Sequence, residues 1–121
     1  MIKKTIAFTD YDGNKREEDF YFNLNKAEVL EMQARVGGGL DAFIRRIVSE
    51  RDSAKIVEFF KEFILMSYGR KSLDGRRFEK SPEISKDFEQ TEAYSNLFTE
   101  LAFDADKAAE FVNGVIPHDE G

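Results

Sequence analysis

The chain has no cysteine, no tryptophan, two prolines and a single histidine among 121 residues. Without cysteine there is no disulfide, no thiolate metal site and no thiol nucleophile, and a reducing compartment fits. The one histidine, His118, lies in the polar tail, so neither a Ser-His-Asp arrangement nor an imidazole metal cluster has its material. Long apolar runs are missing too. The longest uncharged stretch of the helical region, Phe63 to Gly69, falls far short of the roughly 20 apolar residues of a membrane span. The lysines of Met1-Ile2-Lys3-Lys4-Thr5 lead into no apolar run of the kind a secretory signal carries.

What is present argues for one folded unit over residues 1–121. Twelve Phe and four Tyr are incompatible with a disordered polymer, and a chain of this length can bury about two-thirds of its unfolded surface. Charge is segregated. Residues 1–40 carry six basic and seven acidic groups, residues 41–80 ten and seven, and residues 81–121 two and ten, so the local balance runs −1, +3 and −8. Opposite-sign patches of this kind steer encounters, with a partner or with a second copy.

The fold class expected is α+β: an N-terminal β-hairpin (1–24) on a helical part (25–116) of five to six helices, ending in a short tail (117–121). Lys4, Ile6 and Phe8 alternate with Thr5, Ala7 and Thr9, and Phe20 and Phe22 share a face of the return strand. Asp12-Gly13 between these runs is a turn. Two strands alone are marginal in water, so their apolar face needs helices or another chain. Asn25 with Glu28 reads as a capping box, and Gly37-Gly38-Gly39 as the end of the first helix. Leu40, Phe43, Ile44, Ile47 and Val48 form one helical stripe, and Ile56, Phe59, Phe60, Phe63 and Ile64 another, closed by Gly69. Arg70 to Lys80 has no period and reads as a surface loop. Ser81-Pro82-Glu83, Thr91 and Asp104 start three further helices, the last stopped by Asn113-Gly114 and Pro117. The expected core is Phe8, Phe20, Phe22, Phe43, Ile47, Phe59, Phe63, Leu97, Phe98, Leu101 and Phe111.

No motif carries catalysis. Asp10-x-Asp12-x-Asn14 begins like a calcium loop but has Lys15 where Gly is needed and Tyr21 where Glu is needed. The three glycines are followed by Leu40-Asp41 rather than Lys-Ser/Thr, so they make no phosphate loop. The chain is therefore expected to be no enzyme and to take no cofactor or metal. The cations Arg70, Lys71, Arg76, Arg77 and Lys80 around Phe78 could neutralise phosphates, and a small nucleic-acid-binding regulator using this loop is the alternative reading. The acidic pI of 4.9 and the −8 third oppose it and favour pairing of the loop with the acidic third, within the fold or across copies.

Read in order, several segments resemble those of the tail assembly chaperones of phages and prophages of Gram-positive hosts, proteins encoded near the tape measure protein. They are Thr9-Asp10-Tyr11-Asp12-Gly13-Asn14, Lys55-Ile56-Val57-Glu58-Phe59-Phe60-Lys61, Ser67-Tyr68-Gly69, Asp74-Gly75-Arg76-Arg77-Phe78, Gln90-Thr91-Glu92-Ala93-Tyr94 and Ala109-Glu110-Phe111-Val112-Asn113-Gly114-Val115-Ile116-Pro117. The resemblance implies a non-enzymatic helper that coats the tape measure protein, keeps it soluble and brings it the major tail (tube) protein. It also implies a homo-oligomer in the host bacterial cytoplasm, without membrane, and absent from the mature virion. Tyr68, Arg70, Arg76, Arg77, Phe78 and Tyr94 are the expected protein-binding residues.

Overall fold

A computed structural model describes residues 1–36 and 39–117. The glycines 37 and 38 and the tail from His118 onward lie outside the described residues, as do the side chains of Val36, Asp41 and Val48. The fold is α+β, with an N-terminal antiparallel strand pair and six helices. Strand β1 (Ile2–Thr9) pairs with β2 (Lys15–Phe22) along its whole length, Ile2 opposite Phe22 and Thr9 opposite Lys15. The turn is held locally. Gly13 takes φ +83°, which only glycine adopts without strain, and its N–H donates to the Asp10 carbonyl at 3.0 Å.

Three helices follow: α1 (Lys26–Val36), α2 (Leu40–Ser49) and α3 (Ser53–Ser67). The Asn25 capping box is reciprocal, since the Glu28 N–H donates to Asn25 Oδ1 and the Asn25 N–H to Glu28 Oε1, both at 2.9 Å. Asp52 caps α3. Helix α3 ends at Ser67, before Gly69, because the backbone there joins the sheet. Strand β3 (Tyr68–Lys71) lies against β2, with Tyr21 opposite Gly69, and β4 (Phe78–Glu79) pairs with β3. The stretch expected to be a loop thus supplies the second half of β3 and all of β4 in a four-stranded sheet of order β1-β2-β3-β4.

Helices α4 (Pro82–Glu89), α5 (Glu92–Phe103) and α6 (Ala105–Val115) complete the chain, capped by Ser81, Thr91 and Asp104. Asn113-Gly114 does not stop α6. A Cβ on Gly114 would lie 2.7 Å from Ile2 Cδ1, so the glycine lets β1 approach the helix. Helix α5 runs along β1: the Asn96 amide donates to the Ala7 carbonyl at 3.1 Å, and Lys4 faces Glu100 at 3.7 Å. The cover that the hairpin needed is therefore found within the chain.

One cluster of buried side chains joins sheet and helices. Phe20, Phe22, Ile47, Phe59, Phe63, Leu97, Leu101 and Phe111 are buried as expected, while Phe8, Phe43 and Phe98 are half-buried at its rim. Phe88 and Tyr68, absent from the expected core, lie in its middle and stack on each other with centroids 4.4 Å apart.

Candidate functional site: the β3–β4 hairpin

The six expected binding residues fall into two groups. Tyr68 is buried and Tyr94 half-buried; they pack on two sides of Phe88, Tyr94 edge-on at 5.8 Å. Burial pushes the Tyr94 hydroxyl above its ordinary pKa, and the nearby Glu89 adds to the effect. The other four, Arg70, Arg76, Arg77 and Phe78, belong to the β3–β4 hairpin.

Its turn is built from a short polar network. The Ser72 N–H donates to the Arg77 carbonyl at 2.9 Å and the Gly75 N–H to the Ser72 carbonyl at 3.0 Å. Asp74 accepts from the Ser72 hydroxyl at 2.6 Å and from the Arg76 N–H at 3.0 Å, and the Arg77 N–H donates to Ser72 Oγ at 3.0 Å. Gly75 supplies the positive φ of +75°. This network fixes the side chain of Leu73 outward, where it is fully exposed beside Arg76 and Arg77.

The five cations do not act as one patch. Arg70 Nη2 donates to Asp87 on α4, which joins the basic segment to the acidic third within the fold. Lys71 lies 4.8 Å over the Tyr21 ring. The Lys80 ammonium donates to the Asn23 carbonyl at 2.7 Å and to both oxygens of Glu28 at 2.9 and 3.0 Å, tying β4 to the start of α1. Of the five, Arg76 and Arg77 alone have neither an ion-pair partner nor a ring contact among the described residues. A phosphate backbone is held by several convergent cations, and here three of the five are committed inside the molecule. Phe78, half-buried, covers Gly69 and receives Lys80 at 5.7 Å over its ring. Beside it a shallow groove is lined by Arg77, Phe78, Glu79, Lys80, Ser81 and Ile84.

The calcium-like segment has another use. Asp10 Oδ1 accepts the N–H groups of Asp12 and Asn14, and Oδ2 accepts from Arg16 Nε, so the carboxylate is a turn cap. Among the described residues no three acidic or imidazole groups converge on a metal-sized point, and no helix is long and apolar enough to cross a membrane.

Both turn carboxylates should report acidification. The Arg16 hydrogen bond, and then the Asn14 N–H, hold Asp10 below its ordinary pKa; the Ser72 hydroxyl, and then the Arg76 N–H, do the same for Asp74. A depressed folded pKa means stabilisation that is present above the ordinary value of 3.8 and is lost as pH falls through the folded one. In an NMR titration the Asn14 and Arg76 amide signals should therefore move with midpoints below 3.8. Midpoints at or above that value would mean that the carboxylates do not hold the turns.

Leu73 falls in the stretch read as a surface loop but is not among the expected binding residues. Its only sequence signal is an apolar residue just before Asp74-Gly75, where an aliphatic side chain at a turn has nowhere to pack. Comparison with known proteins gives one positive finding: a family model described as phage tail assembly chaperone matches residues 1–120. No curated protein and no solved structure matches.

Proposed function

The chain belongs to the phage tail assembly chaperone family, and from that premise we propose that it binds the tape measure protein, keeps it soluble and brings it tail tube subunits, without catalysis. The observation that carries this reading beyond the family is the hairpin tip. Leu73 stands fully exposed on a turn held by Ser72, Asp74 and Gly75, with the exposed Arg76 and Arg77 on the returning side of the same turn. A pre-ordered apolar group ringed by charge suits the face of an amphipathic helix, and because the turn is already fixed little entropy is lost on binding. The exposed Leu30 on α1 and Val57 on α3 offer further apolar contacts. Two outward cations favour a protein client over a nucleic-acid backbone. The protein works in the host cytoplasm and leaves before the particle is finished.

Co-expression tests this. The tape measure protein should move from the insoluble to the soluble fraction in proportion to the chaperone supplied, with many copies per client and no nucleotide. Leu73→Asp should abolish most of the gain while leaving the melting temperature of the chaperone unchanged, since the side chain touches solvent. A client that stays insoluble at every ratio, or dissolves only with ATP, would overturn the reading. Salt-dependent DNA binding in its place would restore the regulator.

A further inference from the structure

Two turns point the same way. Strand β3 starts opposite Phe22 and runs antiparallel to β2, so the β3–β4 turn faces the same end of the sheet as the β1–β2 turn. They do not reach equally far. From Phe22 the first hairpin continues seven residues to Lys15, whereas from Tyr68 the second continues three to Lys71. The difference of four residues places the first tip about 13 Å beyond the second at roughly 3.3 Å per residue. The sheet therefore ends there in a step, with one projecting and one recessed tip.

The two tips are opposite in charge and each bears an exposed large side chain. The recessed tip carries Leu73, Arg76 and Arg77. The projecting tip carries Tyr11, 76% exposed, with Asp12 beside it; desolvation, and then the nearby charge of Glu92 at the start of α5, raise the pKa of the Tyr11 hydroxyl. Asp10 and Glu18 are satisfied by Arg16, and Asp19 by Lys3 and Thr5. Asp12, Arg76 and Arg77 have no ion-pair partner among the described residues. Lys15 is the exposed cation nearest the projecting tip, and Asp74 is the acid of the recessed one, already bound to its own turn.

We propose that the chain forms a two-fold dimer end to end, the projecting Tyr11 tip of each copy seated over the recessed Leu73 tip of the other. A step is self-complementary under a two-fold rotation: the part that projects on one copy fills the recess of its partner, and the same contact forms twice. Each contact places Asp12 and Glu92 against Arg76 and Arg77, with Tyr11 against Leu73. Both turns are already hydrogen-bonded in the free chain, so docking needs no refolding. Two tips of a few residues bury less than the roughly 1,200 Å² of a stable complex, so the dimer is weak and salt-sensitive. The dimer covers the Leu73 tip that the client reading also uses, so a second copy and a client exclude each other at that tip.

Sedimentation of the full chain at low salt should give a monomer–dimer equilibrium that stops at two copies. Arg76→Glu with Arg77→Glu should raise the dissociation constant about 100-fold, because two attractions become repulsions in each contact. Asp12→Lys with Glu92→Lys should do the same, and an equimolar mixture of the two double variants should recover a heterodimer. Circular dichroism and melting of each variant alone establish that it folds. Because the chain has no cysteine, Tyr11→Cys and Leu73→Cys give a clean second test. Under mild oxidation a mixture of the two should link position 11 to position 73 between copies, faster than either variant links to itself. A strict monomer up to about 1 mM, assemblies growing past two, faster linkage of 73 to 73 than of 11 to 73, or loss of tape measure capture with dimerisation unchanged in the arginine variant would each overturn the proposal.

Discussion

Phe88→Ala should lower the stability of the chain by about 3–5 kcal/mol, a large share of the roughly 5–15 kcal/mol a domain of this size possesses. The ring is 1% exposed and lies against four others: Phe20 at 5.1 Å, Phe22 at 5.7 Å, Tyr68 at 4.4 Å and Tyr94 at 5.8 Å. Those rings come from β2, from β3 and from α5, and the strands are held by their ladder. They cannot close on the space that an alanine leaves, so both the lost transfer energy and the cavity count. A melting temperature lower by roughly 10–20 °C should be seen by circular dichroism. Phe88→Leu, which fills much of the same space, should lose less than half as much. An alanine variant melting within a few degrees of the parent would show that the ring does not join sheet to helices.

Gly69→Val is the second large effect, and its sign separates packing from propensity. Valine is a good strand residue, and glycine inside a strand is normally a weakness. On propensity alone the substitution should stabilise β3. A Cβ at this position, however, would stand 2.6 Å from Phe78 Cε2 and 2.8 Å from the Glu79 carbonyl oxygen. The second of these is backbone, held by the pairing of Arg70 with Glu79, and cannot swing away as a side-chain end can. Overpacking of this kind costs about 1–3 kcal/mol, and the strain falls on the two-residue strand β4. Amide exchange at Ser72, whose N–H donates across to the Arg77 carbonyl, should accelerate well beyond the global change. A more stable protein with unchanged exchange would refute the close approach of Phe78.

Those two residues also mark where reading the sequence stopped. The capping residues Asn25, Ser81, Thr91 and Asp104 were legible because a cap is chemistry within four residues. The stripes of α2 and α3 were legible because burial repeats with the helical period. The strands β3 and β4, with four and two residues, have no room for alternation; β3 exists because β2, more than forty residues earlier, offers it a ladder, and β4 because β3 does. Gly69 and Gly114 both looked like helix stops. Each is instead a place where a neighbour comes close, Phe78 in one case and Ile2 in the other. Phe88 escaped the core because α4 is short, and only Ile84 and Phe88 mark its inner face. At the candidate site the cationic segment was visible as composition. That Arg70, Lys71 and Lys80 turn inward to Asp87, Tyr21 and Glu28 depends on partners brought there by the fold.

The order of the aromatic partners along the chain has a consequence for synthesis. Phe22 packs on Tyr68, Phe88 and Phe111, so the β1–β2 hairpin, once made, waits for residues made much later. At roughly 5–20 residues per second, the interval between Phe22 and Phe111 lasts about 4–18 s, during which an apolar strand face has no native cover. A nascent chain stalled before Phe111 would carry that face into contact with other stalled chains. Premature stop codons between α4 and α6 should therefore give aggregated products rather than smaller folded ones.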